Sequence, residues 1–186
     1  MAKSPFLRLD LLSKYNPLLL IKQLFILCIT LFGVNTVNAQ QVSSLKPVLD
    51  NYLALKDALV KTDGYSAAEK SAILLKSITA VEANSLQSDE NAAWMKVSND
   101  LKEDADHIAT SKEISKQREY FMSLSKNMYS VIKVAKSETP VYYQFCPMAN
   151  KGKGGNWLSL ENKVMNPYYG NQMLNCGRVV ETIQKQ

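Results

Sequence analysis

The sequence predicts a mainly α-helical protein: an up-down four-helix bundle followed by a small C-terminal module that carries cysteines and methionines. Two observations support the bundle. Helical periodicity runs from Val42 to Ala135 with Pro47 as its only proline, and Gly64 is the only glycine of that stretch. A third observation supports the module, because beyond Pro140 glycines and aromatic residues accumulate and β-type runs replace the helical pattern. The 186 residues suffice for one ordinary core.

The first helix is predicted from about Leu45 to Lys61, where apolar residues recur three and four positions apart. TDGY, residues 62–65, interrupts that pattern, and Ser66 with Glu69 resembles a capping box that starts the second helix. The predicted apolar stripes are Val48, Tyr52, Leu55 and Leu59 in the first helix, and Ile73, Leu74, Ile78 and Val81 in the second.

The third helix is predicted to begin in SDENAAW, residues 88–94, where Asp89 and Glu90 suit the positive end of the helix dipole. Thr110 with Glu113 resembles a second capping box, which starts the fourth helix. The predicted inward-facing residues are Trp94, Val97, Leu101 and Ile108 in the third helix, and Ile114, Phe121, Leu124, Met128, Val131 and Ile132 in the fourth. The short loops between these helices predict antiparallel neighbours.

The beginning of the chain has the pattern of an export signal. A basic region ends at Lys22, an apolar run extends from Leu24 to Val34, and a small residue at Ala39 suits signal-peptide cleavage after about that position. An uncleaved anchor is the alternative, because Leu18 to Ile21 form a second apolar patch. The uninterrupted run is short for a membrane span. We therefore predict a periplasmic protein with no stable membrane span after cleavage.

The predicted domains are the signal peptide at 1–39, the bundle at 40–138 and the Cys/Met module packed on it at 139–186. The net charge of the whole chain is +5, but after position 39 only 18 basic residues stand against 16 acidic ones. That balance is too small to indicate nucleic acid binding. The chain also has no CxxC motif, no serine elbow and no histidine near Cys146, so we predict that it is not an enzyme.

Two cysteines, Cys146 and Cys176, remain once the leader and its Cys28 are removed. In an oxidising compartment an isolated pair is by default a disulfide. VYYQF, residues 141–145, and RVVETI, residues 178–183, are β-type runs, although a helix over the last segment is the alternative. An antiparallel pair with Cys146 opposite Cys176 brings the two sulfurs close. Its register would pair Phe145 with Gly177, Tyr143 with Val179 and Val141 with Glu181.

Methionines accompany both cysteines, as Cys-x-Met in one segment and Met-x-x-Cys in the other. Cys146, Met148, Met173 and Cys176 would offer two thiolates and two thioethers, the soft ligands that favour Cu(I) or Ag(I). A disulfide with two gap-filling methionines is the competing interpretation. Oxidation of the thiols would abolish soft-metal binding, so the disulfide and the metal-bound state can alternate.

The C-terminal motifs resemble an uncharacterised family of exported bacterial proteins. The resemblance rests on QFCPMAN (144–150), the glycine-rich stretch before NWLS (156–159), NPYYG (166–170) and QMLNCG (172–177), in that order after a helical region. This module also occurs fused to periplasmic adaptor subunits of copper/silver efflux pumps. The resemblance covers roughly the whole mature chain and implies copper or silver handling, with Cys146, Met148, Met173 and Cys176 as candidate ligands.

The sequence thus leads to a periplasmic protein that binds Cu(I) or Ag(I) for efflux or buffering, with Trp157 and Tyr169 excluding water from the sulfurs. A periplasmic efflux adaptor or another envelope protein is the expected partner. The alternative is a non-catalytic structural or partner-binding envelope protein whose Cys146 and Cys176 form a disulfide.

Three other features are given simpler interpretations. His107, three residues after Asp104, is read as a solvated or hydrogen-bonded helix residue, with a metal or catalytic role as the alternative. Lys151 and Lys153 lie among glycines, but the phosphate-binding spacing GxxxxGK[ST] is absent, which favours a flexible turn. NPYYG is read as a tight turn whose aromatic residues cover the end of the bundle.

Overall fold

The computed structural model describes residues 45–135 and 137–184, which belong to one compact unit, Val42–Gln186. The predicted signal peptide and its cleavage after Ala39 lie outside the described residues. Within the described ranges, no helix is both long and apolar enough to cross a membrane.

Four long helices form the first part of the chain, as the sequence predicts. They are α1 (Lys46–Val60), α2 (Gly64–Thr79), α3 (Ser88–Thr110) and α4 (Ile114–Ala135), with a 3-10 turn (Ala83–Ser85) between α2 and α3. Each helix packs against the next one along the chain, and α1 and α2 also contact α4. Because the connections are short, consecutive helices are antiparallel, and the four-helix bundle is confirmed.

The two predicted capping boxes do not mark the starts of α2 and α4. The N-cap of α2 is Asp63, whose carboxylate accepts a hydrogen bond from the backbone N–H of Ser66 at 2.9 Å. Thr110 belongs to the end of α3, and the Ser111 hydroxyl accepts from the backbone N–H of Glu113 at 3.1 Å, just before α4. Asp63 offers an acceptor of the kind preferred at an N-cap three residues before Ser66, and the Thr110 hydroxyl donates to the Asp106 carbonyl of α3 instead of capping α4.

The bundle core contains most of the predicted apolar stripes. Leu74 and Ile78 are fully buried, as are Tyr52, Leu101 and Phe121. Ile73 was predicted to face the core, but this prediction is wrong. The residue is 39% exposed on the outer side of α2. Ile73 and Leu74 are consecutive and therefore lie about 100° apart around a helix, so only one of them can face the centre of the core.

A three-stranded antiparallel sheet follows the bundle. Its strands are β1 (Val141–Cys146), β2 (Gly155–Ser159) and β3 (Arg178–Ile183), in the order β2-β1-β3. The predicted pairing of the first and last strands is confirmed, and the alternative helix over the last segment is wrong. No strand was predicted at β2, which pairs with β1 and packs on α4.

The predicted register between β1 and β3 is wrong by one to two residues. Phe145 lies opposite Arg178, and Val141 lies opposite Ile183. The register shifts between Tyr143 and Gln144, so β3 contains an additional residue at this point. Such a bulge leaves no periodic trace in the sequence, and this explains the error.

The Tyr52 hydroxyl connects the bundle to the sheet. It lies 2.7 Å from the hydroxyl oxygen of Ser125 on α4 and accepts a hydrogen bond from the backbone N–H of Leu158 on β2 at 3.1 Å. The ring is fully buried and stacks on Phe121 at 5.3 Å between centroids. Burial raises the pKa of the Tyr52 hydroxyl well above its ordinary value, so the hydroxyl stays protonated.

We expect Tyr52→Phe to lower the free energy of unfolding by about 1 to 3 kcal/mol, because it removes the acceptor of the buried Leu158 N–H. Urea unfolding followed by circular dichroism measures this change. Tyr65→Phe is the matched control: Tyr65 is 71% exposed, so its loss should change stability by less than about 0.5 kcal/mol. Equal stabilities of the two variants would contradict the connecting role of Tyr52.

Candidate metal centre

Cys146 and Cys176 form a disulfide in the structure. Cys146 ends β1 and is fully buried, whereas Cys176 is half-buried in the loop before β3. Their Cα atoms lie 5.6 Å apart across a sequence separation of 30 residues. The predicted disulfide is therefore confirmed, and the chain as described holds these two sulfurs in their oxidised form.

Met148 and Met173 belong to the two chain segments that the disulfide joins. Met148 follows Cys146 by two residues and is 52% exposed, and Met173 precedes Cys176 by three residues and is 37% exposed. The Met173 carbonyl accepts a hydrogen bond from the Cys176 N–H at 3.0 Å. The Met148 carbonyl accepts one from the Tyr169 hydroxyl at 2.7 Å. Both methionine residues are thus partly open to solvent, and each lies within three residues of a cysteine in the sequence.

Asn166 fastens the loop that carries Cys176. Its side-chain amide donates to the Cys176 carbonyl at 2.9 Å, and its side-chain oxygen accepts from the Tyr168 N–H at 2.8 Å. Its backbone N–H donates to the Leu174 carbonyl at 2.8 Å, and its carbonyl accepts from the Gly170 N–H at 3.0 Å. Asn166 is fully buried. The sequence predicted a turn in NPYYG, but it gave no sign that this asparagine positions a cysteine.

Arg118 attaches the same loop to the bundle. Its guanidinium donates to the Pro167 carbonyl at 2.8 Å and to the Leu59 carbonyl at the end of α1 at 3.1 Å. Burial lowers the pKa of the guanidinium from its ordinary value. Gly170 lies at this junction with a φ of 56°, and a Cβ atom there would approach the Thr62 hydroxyl oxygen to 2.3 Å. The junction therefore requires glycine at this position.

Tyr168 and Trp157 fill the space between the loop, the sheet and the bundle. The Tyr168 ring lies 5.9 Å from the Trp157 ring in a T-shaped contact and 5.9 Å from the Phe121 ring of α4. Its hydroxyl donates to the Asn156 carbonyl, and burial raises the pKa of that hydroxyl well above its ordinary value. NPYYG thus places one aromatic ring, Tyr168, against the bundle.

The Trp157 ring lies next to the backbone that follows Cys176. Trp157 is fully buried, and a Cβ atom at Gly177 would lie 3.0 Å from its ring and 2.8 Å from the Phe145 carbonyl oxygen. Gly177 has a φ of 142°, which glycine adopts at little cost. Trp157 therefore covers one side of the segment that carries the cysteine, and the Tyr169 hydroxyl covers the Met148 carbonyl.

The other candidates lie elsewhere. His107 stacks on Tyr120 at 4.3 Å between centroids, and its Nε2 atom lies 3.7 Å from a carboxylate oxygen of Glu103. Asp104, three residues earlier, is buried against α4. No group of three or more His, Cys, Asp or Glu residues in positions 45–135 and 137–184 is arranged to hold a metal.

Comparison with known proteins gives one match. Residues 48–139 match the family model described as "Protein of unknown function (DUF3347)". This range contains nearly all of α1 and the whole of α2, α3 and α4, so the helical part of the chain resembles an uncharacterised domain family. The Cys/Met motifs lie outside the matched range. No curated protein and no solved structure matches the chain significantly.

Proposed function

We propose that the reduced form of this protein binds a soft monovalent metal ion, Cu(I) or Ag(I), through Cys146, Cys176, Met148 and Met173. The observation that supports this most is the position of the four residues. Two sulfurs are already within bonding distance of each other, and an exposed methionine lies on each of the two segments that carry them. Thiolates and thioethers together form the ligand set that Cu(I) prefers.

Reduction must precede metal binding, because a disulfide has no thiolate to offer. A dithiol reductant would supply two electrons and two protons to the cystine and give two thiols. Binding of one Cu(I) by both thiolates then releases two protons. In this reaction the disulfide is the metal-free, oxidised state, and the same two sulfurs serve both states.

The surroundings of the sulfurs suit a soft-metal site. Cys146 is fully buried, and the Trp157 ring lies against Gly177 beside Cys176. We infer that Trp157 and Tyr169 limit the access of water to a bound ion, which slows the oxidation of Cu(I). The exposed side chains of Met148 and Met173 would let the ion enter from solvent or pass to a partner.

The proposed setting is the periplasm, since the leader sequence has the pattern of an export signal and the two described cysteines are oxidised. There the protein would buffer soft metal ions or deliver them to an efflux adaptor. The resemblance of the C-terminal motifs to modules fused to copper/silver efflux adaptors supports this role.

The disulfide itself favours a second candidate, a non-catalytic structural or partner-binding envelope protein. In that role Cys146 and Cys176 would remain oxidised and hold the loop of residues 147–175 against the sheet. The two candidate functions differ in the redox state of Cys146 and Cys176: metal binding requires the reduced cysteines, and the structural role requires the disulfide.

A competition titration tests the metal proposal. We expect the reduced protein to take one equivalent of Cu(I) from a colorimetric Cu(I) chelator, and the oxidised protein and the Cys146→Ser/Cys176→Ser variant to take none. Met148→Leu/Met173→Leu should weaken the binding about tenfold, equivalent to about 1.4 kcal/mol. The control is Met95→Leu, which removes another exposed thioether, 64% exposed on α3. Failure of the reduced protein to compete would refute the proposal and leave the structural candidate.

A further inference from the structure

An open groove lies between α4 and the connection from β1 to β2. Its volume is about 480 Å³, within the range of ligand-binding clefts. The lining residues are Met122, Ser123 and Lys126 of α4, Tyr143 of β1, and Asn150, Gly154, Gly155 and Asn156 of the connection and β2. None of the four proposed metal ligands is among these lining residues.

The wall formed by the β1–β2 connection has an unusual and well-fixed backbone. Asn150 and Lys151 have φ values of 52° and 57°, in the left-handed region. A left-handed conformation costs a non-glycine residue about 1 to 2 kcal/mol. The connection is held by backbone hydrogen bonds, among them that from the Gly154 N–H to the Ala149 carbonyl at 2.9 Å. Strained residues that the surrounding structure maintains are concentrated at binding sites.

The rings of Phe145 and Tyr168 pack closely against the backbone of Gly154 and Gly155, which forms the floor of the groove. A Cβ atom at Gly154 would lie 2.4 Å from the Phe145 ring, and one at Gly155 would lie 2.8 Å from the Tyr168 ring. Glycine at both positions therefore lets the backbone lie flat against these rings. The floor is thus preformed, which reduces the ordering cost of binding.

The charge of the groove is positive. Lys126 lines it, and Lys151 and Lys153 are exposed on the connection that forms its wall. None of the three lysines forms an ion pair with the described residues. No carboxylate lines the groove, and the nearby Glu181 is already paired with Lys133 at 3.2 Å. One lysine in the lining and two on the connection beside it favour a ligand that carries several negative charges.

The other lining groups indicate an extended peptide. Met122 and Tyr143 are apolar surfaces for a side chain. The Asn156 side-chain amide donates to the Gln144 carbonyl at 3.2 Å, which leaves its side-chain oxygen to accept from a backbone N–H of the ligand. Nucleic acid is disfavoured because the chain after position 39 has an excess of only two positive charges.

We propose that this groove binds an acidic, extended segment of a partner protein. Its carboxylates pair with Lys126, Lys151 and Lys153, and an apolar side chain between them packs against Met122 and Tyr143. None of the four proposed metal ligands lines the groove, so this binding requires neither bound metal nor reduced cysteines.

Fluorescence anisotropy of the oxidised protein tests the proposal. The probe is a fluorescein-labelled eight-residue peptide of alternating glutamate and leucine, and its matched control has glutamine in place of glutamate. We expect the acidic peptide to bind, the glutamine peptide not to bind, and added salt to weaken the binding. Lys126→Gln/Lys151→Gln/Lys153→Gln should raise the Kd of the acidic peptide at least tenfold.

A second triple variant separates a local site from general charge attraction. Lys61→Gln/Lys76→Gln/Lys96→Gln removes the same charge from exposed lysines that do not line the groove, and its Kd should change less than twofold. Amide chemical shifts of Gly154 and Gly155 should move when the peptide binds. No binding of the acidic peptide, equal weakening in both triple variants, or shifts confined to other residues would each overturn the proposal.

Discussion

Reduction of the Cys146–Cys176 disulfide is expected to lower the free energy of unfolding by about 3 to 4 kcal/mol. The cross-link closes a loop with a sequence separation of 30, and the chain-entropy model gives a stabilisation of this size for such a loop. The loop contains β2, whose Trp157 and Leu158 are fully buried, so the constraint acts on part of the core. Urea unfolding of the oxidised and the reduced wild type measures the difference.

The variant Cys146→Ser/Cys176→Ser should lose at least as much stability, because it adds a hydroxyl at the fully buried position 146. Asn166→Ala serves as a second probe of the same loop, since it removes the hydrogen bond to the Cys176 carbonyl. If reduction changed the free energy of unfolding by less than about 1 kcal/mol, the disulfide would not constrain the unfolded chain as described.

Asp104→Asn is expected to stabilise the protein by about 1 to 2 kcal/mol at pH 8, which allows for solvent screening of the carboxylate. Asp104 lies on α3 and is buried, and one of its carboxylate oxygens has no hydrogen-bond partner among the described residues. Burial raises the pKa of this carboxyl to about 6, opposed by a hydrogen bond from Ser123. Asp100 and Glu103 raise it further, whereas His107 lowers it. Each unit of pKa shift corresponds to about 1.4 kcal/mol.

The sign of the pH dependence follows from the direction of this shift. The folded carboxyl binds a proton more tightly than the unfolded one, whose ordinary pKa is 3.8. Between these two values the folded state holds more protons, so stability falls as pH rises from about 4 to 6. The destabilisation is complete above the folded pKa, and Asp104→Asn removes it there. Near pH 3 the variant and the wild type should have similar stabilities.

Asp106→Asn is the matched control for this experiment, because it removes a carboxylate from an exposed position of the same helix. Its free energy of unfolding at pH 8 should lie within about 0.5 kcal/mol of the wild-type value. Thermal or urea unfolding at several pH values from 3 to 8 measures all three proteins. A loss of stability in Asp104→Asn at pH 8 would show that the carboxylate is favourable in the fold.

The helices could be predicted because their apolar residues follow one period, and Leu74, Leu101 and Phe121 are buried as that period requires. The helix starts were less predictable. Asp63 caps α2 in place of the predicted Ser66, and Thr110 ends α3 instead of starting α4. Local sequence contains several acceptors at a helix start, and tertiary packing decides which one is used.

The strand β2 was not predicted from the sequence, and the reason is physical. GNWLS begins with glycine and asparagine, and Trp157, Leu158 and Ser159 are consecutively buried, so the alternation typical of a half-exposed strand is missing. The groove beside β2 could not be predicted either. It depends on the distance between α4 and a connection with left-handed residues, and neither feature leaves a pattern in the sequence.

The candidate metal ligands were found from their spacing, because Cys-x-Met and Met-x-x-Cys flank the ends of two β-type runs. The structure adds the oxidised state of the cysteines and the exposure of Met148 and Met173. It also adds the residues that position the loop, chiefly Asn166 and Arg118. These residues act across the fold, and their partners cannot be read from local sequence.

X-ray absorption at the copper edge tests the central claim most directly. Reduced protein is loaded with one equivalent of Cu(I), and the atoms bound to the metal are identified from the fine structure. We predict a coordination shell of sulfur alone, with fewer sulfur atoms in Met148→Leu/Met173→Leu and no bound copper in Cys146→Ser/Cys176→Ser. A shell of nitrogen or oxygen, or copper that persists without the two cysteines, would contradict the proposed site.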